Sequence, residues 1–257
     1  LERILEDKEE ADLKADLEQI QQECRKEHWL FSINHPFLYI WKWLYGDLRL
    51  DGVHCLEIIN DPTYEADPEA KAGKANQRAV ALEDLLWADG HRICAIGGSD
   101  SHNTLEERYP GATEPSVPGD PATFVYMEDL SAEHLLEGVR SCNCYVTRHC
   151  RIETGLLFGG QLPEDKEELP YRICLRGQKE KPEIFYLHNG KRVDCRVTGR
   201  EDAWEAAGTV RLTEEAYQWI RFGAEAKDGD FLFYGNAITR GTGKQKLRTF
   251  GEAVKQL

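Results

Sequence analysis

Residues 92–102, Arg92-Ile93-Cys94-Ala95-Ile96-Gly97-Gly98-Ser99-Asp100-Ser101-His102, carry an apolar run into a glycine pair and then into an acid and a histidine. Segment 92–97 reads as a buried strand. The two glycines let the backbone turn tightly at its end. In an extended segment, positions i and i+2 share a side, so Cys94, Ile96, Gly98 and Asp100 form one row, and Asp100 and His102 can converge on one pocket. A hard oxygen beside a neutral imidazole suits zinc, manganese or iron.

The same sentence is written twice upstream. Segment 30–36 is a short apolar strand that ends in Asn34-His35-Pro36, with Phe31, Ile33 and His35 on one face. Pro36 disfavours the helical conformation at His35 and holds its imidazole in an extended geometry. Segment 53–60 is a second strand, carrying Glu57 inside Leu56-Glu57-Ile58-Ile59 and ending in Asn60. An ionised carboxylate at that depth needs a partner, and Glu57 reads best as a group that supports a ligand rather than as a ligand itself. His54 projects to the other face and is structural.

Between these strands the pattern is helical. Leu13, Leu17, Ile20 and Cys24 make an amphipathic stripe within 1–28, an aromatic helix is expected through Trp41, Trp43 and Tyr45, and Ala79, Leu82, Leu85 and Leu86 mark a helix over 75–88 closed by Gly90. The loop 103–121 holds Pro110, Pro115 and Pro118 and is long enough to overhang a site. A strand over 123–127 follows, then a helix with Ser131 as N-cap. Alternating short strands and helices indicate a parallel sheet or barrel covered on both faces. From 152 the rhythm turns to antiparallel strands, with Asn189-Gly190 as a type I′ hairpin signal. Two domains are therefore expected: 1–151, an α/β unit, and 152–257, a smaller β-sandwich-like unit.

Composition limits the rest. The chain has 257 residues, 41% hydrophobic and 30% charged, with a net charge of −14. That balance disfavours a nucleic-acid partner, and no run nears the ~18 apolar residues of a membrane helix. Eight cysteines without a CxxC pair argue against a zinc knuckle and for a reduced, cytoplasmic protein. His28, His91, His134, His149 and His188 read as surface or helix-end residues, and Arg148 as a surface ion pair.

Ile33-Asn34-His35-Pro36, Leu56-Glu57-Ile58-Ile59-Asn60 and Ala95-Ile96-Gly97-Gly98-Ser99-Asp100-Ser101-His102 resemble, in order and in strand-end placement, the later motifs of the PHP (polymerase and histidinol phosphatase) metallohydrolases. The carbaryl-hydrolase-like branch is the most similar, through residues 121–126 and a β-rich C-terminal region. The resemblance implies the C-terminal part of a distorted (β/α)7 barrel whose strand ends hold two or three divalent metals for hydrolysis of phosphate or related esters. It makes His35, Asp100 and His102 metal ligands and places Asn34, Glu57 and Asn60 along the site. The family's opening His-x-His strand and the ligands after it have no counterpart here. They would precede Leu1, and the chain opens within a helical pattern, so it is expected to be a fragment or processed product carrying part of the ligand set. A metal-dependent hydrolase of the phosphoesterase class is the expected function, acting on a small-molecule ester. The alternatives are a non-catalytic, ligand-binding scaffold with an incomplete site, and a carboxylic-ester or carbamate hydrolase on the same metals.

Overall fold

A computed structural model describes residues 10–38, 41–63, 72–102, 104, 106–108 and 110–257. The apolar stripe of the first segment forms helix α1 (Glu10–Lys26), with Cys24 buried at its end. Three strands then lie side by side and parallel: β1 (Ser32–Ile33), β2 (Cys55–Asn60) and β3 (Cys94–Gly98), in that spatial order. Between β2 and β3 runs helix α2 (Ala72–Asp89), which Gly90 ends at φ +91. A Cβ on Gly90 would lie 2.4 Å from the Cα of Gly243, so the helix end can close there only on glycine.

The sheet stops at β3, and the expected barrel does not form. Among the described residues there are fifteen strands and four α-helices, the sheets are open, and the next two strands after β3 pair antiparallel to each other in a different sheet. This corrects the reading of the chain as part of a (β/α)7 barrel. The physical reason lies on the outer edge of β3. Ala95 and Gly97 turn their backbone groups away from β2, where a fourth parallel strand would pair. The side chain of Asn236 meets them instead: its Oδ1 accepts from Ala95 N–H (2.7 Å), and its Nδ2 donates to the carbonyls of Ala95 and Cys144 (both 3.0 Å). One residue pair further on, the Thr123 hydroxyl accepts from Gly97 N–H and donates to Gly97 C=O (both 2.9 Å). With these groups satisfied by side chains, the edge needs no further strand.

Thr123 belongs to β4 (Ala122–Val125), which pairs with β5 (Cys144–Thr147). Between them stands α3 (Ala132–Arg140), where Ser131 caps the helix by accepting from His134 N–H, as the sequence predicts. The chain then makes β6 (Arg151–Thr154), β7 (Gln161–Leu162), β8 (Glu168–Arg176), β9 (Glu183–His188), β10 (Lys191–Asp194), β11 (Val197–Arg200), β12 (Ala203–Arg211), β13 (Gln218–Glu225), β14 (Phe231–Gly235), β15 (Ile238–Arg240) and α4 (Phe250–Val254). The β9–β10 hairpin turns on Asn189 (φ +50) and Gly190 (φ +80), the two left-handed residues a type I′ turn requires.

An eight-stranded sheet has the order β10-β9-β13-β14-β5-β4, with β15 and β7 branching from β13, and so joins strands from both sides of residue 151. One face packs on the four-stranded sheet β11-β12-β8-β6 through Ile173, Leu175, Ala206, Phe222 and Phe233. The other face meets the parallel sheet through Val146, Tyr234, Ile59 and Ala95. Covered on both sides, β13 is buried from Gln218 to Ala224, and its two buried polar residues, Gln218 and Arg221, are both hydrogen-bonded. Helix α2 is fixed to this sheet by Asp84, which accepts two bonds from Arg221 (2.8 Å each) and one from the Tyr234 hydroxyl (3.2 Å).

Residues 41–45 form no α-helix. The Trp43 ring packs edge-on against Phe31 and Tyr45, and its Nε1 donates to the Tyr45 carbonyl (3.1 Å), a local bond that competes with helical pairing. His91 is buried rather than superficial, its Nε2 2.9 Å from the Leu247 carbonyl. Among the described residues no helix is long and apolar enough to cross a membrane.

Asn236→Ala should lower stability by roughly 2–5 kcal/mol, because it strands the buried N–H and C=O of Ala95 at about 1–3 kcal/mol each, while the Cys144 carbonyl keeps the Asn236 backbone N–H. Urea unfolding midpoints measure this, and Thr123→Val should cost visibly less. Glu83, on α2, is wholly buried with neither carboxyl oxygen hydrogen-bonded, and burial pushes its carboxyl well above the usual range. A raised carboxylate is protonated in the fold before it is in the unfolded chain, so its contribution to stability is lost as pH rises above about 4.5. The difference in stability between the wild type and Glu83→Gln should therefore move against the wild type over that rise, as read by thermal melts at stepped pH.

Candidate functional site

The parallel strands all point their carboxyl ends at one pocket of about 350 Å³, lined by His35, Leu38, Trp41, Asn60, Asp61, Asp100 and His102. Each strand end passes through a left-handed residue that is not glycine: His35 (φ +36) after β1, Asp61 (φ +22) directly after β2, and Asp100 (φ +49) after β3. Such backbone costs on the order of 1–3 kcal/mol per residue and persists only where surrounding contacts hold it. Three around one pocket is the pattern of a site.

The contacts that hold His35 are explicit. Glu57 accepts the His35 backbone N–H (2.7 Å) through Oε2, and the His35 Nδ1 lies 2.9 Å from the Trp41 carbonyl. These bonds override the extended geometry expected from Pro36. Facing a carbonyl, Nδ1 can only donate, which in the neutral ring makes Nε2 the acceptor. His102 is arranged alike, its Nδ1 2.6 Å from the backbone carbonyl of Asp100. Asp100 is left-handed rather than extended, so it is this carbonyl contact, and not strand alternation, that brings Asp100 and His102 together; their side chains stand 3.8 Å apart.

Glu57 is 8% exposed, and burial raises its carboxyl above the ordinary value, offset in part by Asn60 and by the His35 backbone N–H. Asn60 Nδ2 lies 3.2 Å from both Glu57 oxygens. Residues three apart do not share a face of a regular strand. They meet here because β2 carries a bulge: Glu57 pairs with Ile96 and Ile59 with Gly97, leaving Ile58 over. Asn76 of α2 then closes the strand end, accepting from Asn60 N–H and donating to Asn60 C=O (both 3.0 Å). Asn60 Oδ1 is left buried with no hydrogen-bond partner.

Asn34 is exposed, accepts a bond from the Ser32 hydroxyl (2.6 Å), and is not among the pocket residues. Asp61 was not singled out by the sequence. It is buried, its Oδ1 accepts from the Thr63 hydroxyl (2.6 Å), and burial raises its carboxyl. Its signal was position: it is the first residue past the strand. Asp100 adds negative field at both Glu57 and Asp61, so the pocket gathers carboxylates that repel one another. Segments 99–102 and 110–121 are tied together and to the end of β2 by Ser116 Oγ to Ser99 C=O (2.5 Å), Ser101 Oγ to Ser116 C=O (2.8 Å) and Thr113 N–H to Thr63 C=O (2.8 Å). Arg148 is buried, not superficial, and pairs with Glu114 of that loop.

Among the described residues, no group of three or more His, Cys, Asp or Glu is arranged to hold a metal ion. This corrects the reading of the chain as a metal-binding β/α barrel carrying part of a ligand set. No protein-family model matches the chain, and no curated protein is similar to it.

Glu57→Ala removes the acceptor for the His35 N–H. Hydrogen exchange at the His35 amide should accelerate, and unfolding free energy should fall by about 1–3 kcal/mol. An unchanged exchange rate would mean that Glu57 does not hold His35.

Proposed function

We propose that this pocket belongs to a metal-dependent hydrolase of the phosphoesterase class. The observation that carries the reading is the orphaned Oδ1 of Asn60, buried at a pocket where three strained strand ends also bring two imidazoles and the carboxylates of Asp61 and Asp100. A buried acceptor without a donor asks for a ligand or water, and crowded carboxylates ask for a cation. The donor set suits a hard or borderline divalent ion such as zinc, manganese or iron. His35, Asp100 and His102, which line the same pocket, are the side chains that would hold it. When bound, such an ion stabilises charge on an attacked ester and lowers the pKa of water. Glu57 fixes His35 and Asn60, and Asn60 Oδ1 accepts a hydrogen bond from substrate or water. Asp61, kept protonatable by burial, handles a proton at its carboxyl. The likeness of the three strand-end motifs to the PHP metallohydrolases supports the same chemistry. The substrate is a small-molecule ester, nucleic acid is not a partner, and the compartment is the cytoplasm.

A second reading, a non-catalytic ligand-binding scaffold, is favoured by the exposure of the Asp100 and His102 side chains, 42% and 66%. One experiment separates them. Manganese or zinc binding is measured by equilibrium dialysis on this chain, and metal-dependent turnover of an aryl phosphate, an aryl acetate and an aryl carbamate on the protein as it occurs in the cell. Asp100→Ala and His35→Ala should each weaken metal binding at least tenfold and reduce phosphate-ester turnover a hundredfold or more. Metal binding without turnover of any ester selects the scaffold, and faster turnover of acetate or carbamate moves the ester class. No metal binding by the wild type overturns the proposal.

A further inference from the structure

Four cysteines distant in sequence meet in the core. Cys55 and Cys94 are register partners across β2 and β3, Cys142 sits in the turn after α3, and Cys144 opens β5; all four are buried beside Trp87, Trp219 and Ala237. The Sγ atoms of Cys94 and Cys144 are 3.0 Å apart. A disulfide has an S–S length near 2.05 Å, so about an ångström of sulfur movement separates contact from bond. A second observation marks the region as chemically unfinished. Glu83, whose carboxyl feels Cys142 and Cys55, is wholly buried beside Trp87, and neither its oxygens nor Trp87 Nε1 makes a hydrogen bond of full geometry. Unsatisfied polar groups in a packed core call for an explanation, and redox chemistry is one that buried thiols in contact can supply. The cluster is not among any metal-holding group of the described residues.

We propose that Cys94 and Cys144 are an oxidisable pair, forming a reversible disulfide that locks β3 to β5. The oxidant is a hydroperoxide, here hydrogen peroxide, which reaches the buried sulfurs through local opening of the core. One sulfur attacks a peroxide oxygen and becomes a sulfenic acid as the O–O bond breaks and water leaves. The second sulfur then displaces the hydroxyl as a second water. Two S–H bonds are lost, one S–S bond forms, and the two electrons and two protons reside in the waters. A thiol reductant reverses the step by exchange.

The position gives the bond a consequence. Asn236 Nδ2 lies 3.3 Å from Cys144 Sγ and 3.8 Å from Cys94 Sγ, so the disulfide would reinforce covalently the junction that Asn236 holds by hydrogen bonds. It would also close a loop of 50 residues that contains the segment over the pocket, β4 and α3. By restricting the unfolded chain, a loop of that size should raise the melting temperature on the order of 5–10 °C.

The test treats the folded protein with hydrogen peroxide, quenches it, alkylates it under denaturing conditions and maps its peptides by mass spectrometry. The expected result is the loss of two alkylatable thiols of the eight, a peptide linking Cys94 to Cys144, and the predicted rise in melting temperature, all reversed by dithiothreitol. Cys142→Ala should leave the link in place, and Cys144→Ala should abolish it. Eight alkylated thiols after peroxide, or a link from Cys94 to Cys142 or Cys55 instead, would overturn the proposal. The wild-type measurement stands even if a cysteine variant fails to fold.

Discussion

The amide of Asn236 is the joint on which the molecule is built. It is wholly buried and imitates a strand, offering Ala95 one acceptor and one donor where a neighbouring peptide would have done so. Its other N–H reaches the Cys144 carbonyl, so one side chain ties the parallel sheet to the eight-stranded sheet. A buried edge left unpaired would be costly. An edge satisfied by Asn236 and Thr123 can end at β3 while still being buried. Asn76 does the same service at the end of β2. Asn236 thus sets where the parallel sheet stops, Asn76 closes the end of its central strand, and the three strand ends open on one pocket.

Those ends pass through positive φ at His35, Asp61 and Asp100, and the strain is held by specific bonds: Glu57 to His35, Thr63 to Asp61, and Ser116 to Ser99 and Ser101 on either side of Asp100. The bulge at Ile58 matters to the same end, because it lets Glu57 and Asn60 meet beneath the pocket floor. Fold and site are therefore one problem.

Much of this was legible from local pattern. Strand 183–188 and the Asn189-Gly190 turn appear where period-two alternation and turn chemistry put them, and the Ser131 cap and the Gly90 stop fall where the sequence predicts them. His35, Asn60, Asp100 and His102, singled out because polar residues terminate apolar rows, do line one pocket. Asn34 does not, because a short hydrogen bond to Ser32 keeps it at the surface. Asp61 was missed since alternation ended the argument at Asn60, and the aromatic stretch 41–45 was misread because tryptophan ring contacts, not backbone pairing, shape it.

By itself, then, the sequence determined what depends on neighbours a few residues away: helix stripes and caps, hairpin turns, and which strand ends carry acids and imidazoles. It could not determine what depends on residues far apart. Asn236 lies 141 positions from Ala95, and nothing around it in the chain distinguishes it from a loop asparagine. Its bonds turned an expected barrel into an open sheet. The left-handed turns at His35 and Asp100 were likewise decided by hydrogen bonds from other elements, which outweighed the local preference for extended backbone. Edge pairing, bulges and strained dihedrals are satisfied across the whole fold, so only the tertiary structure could decide them.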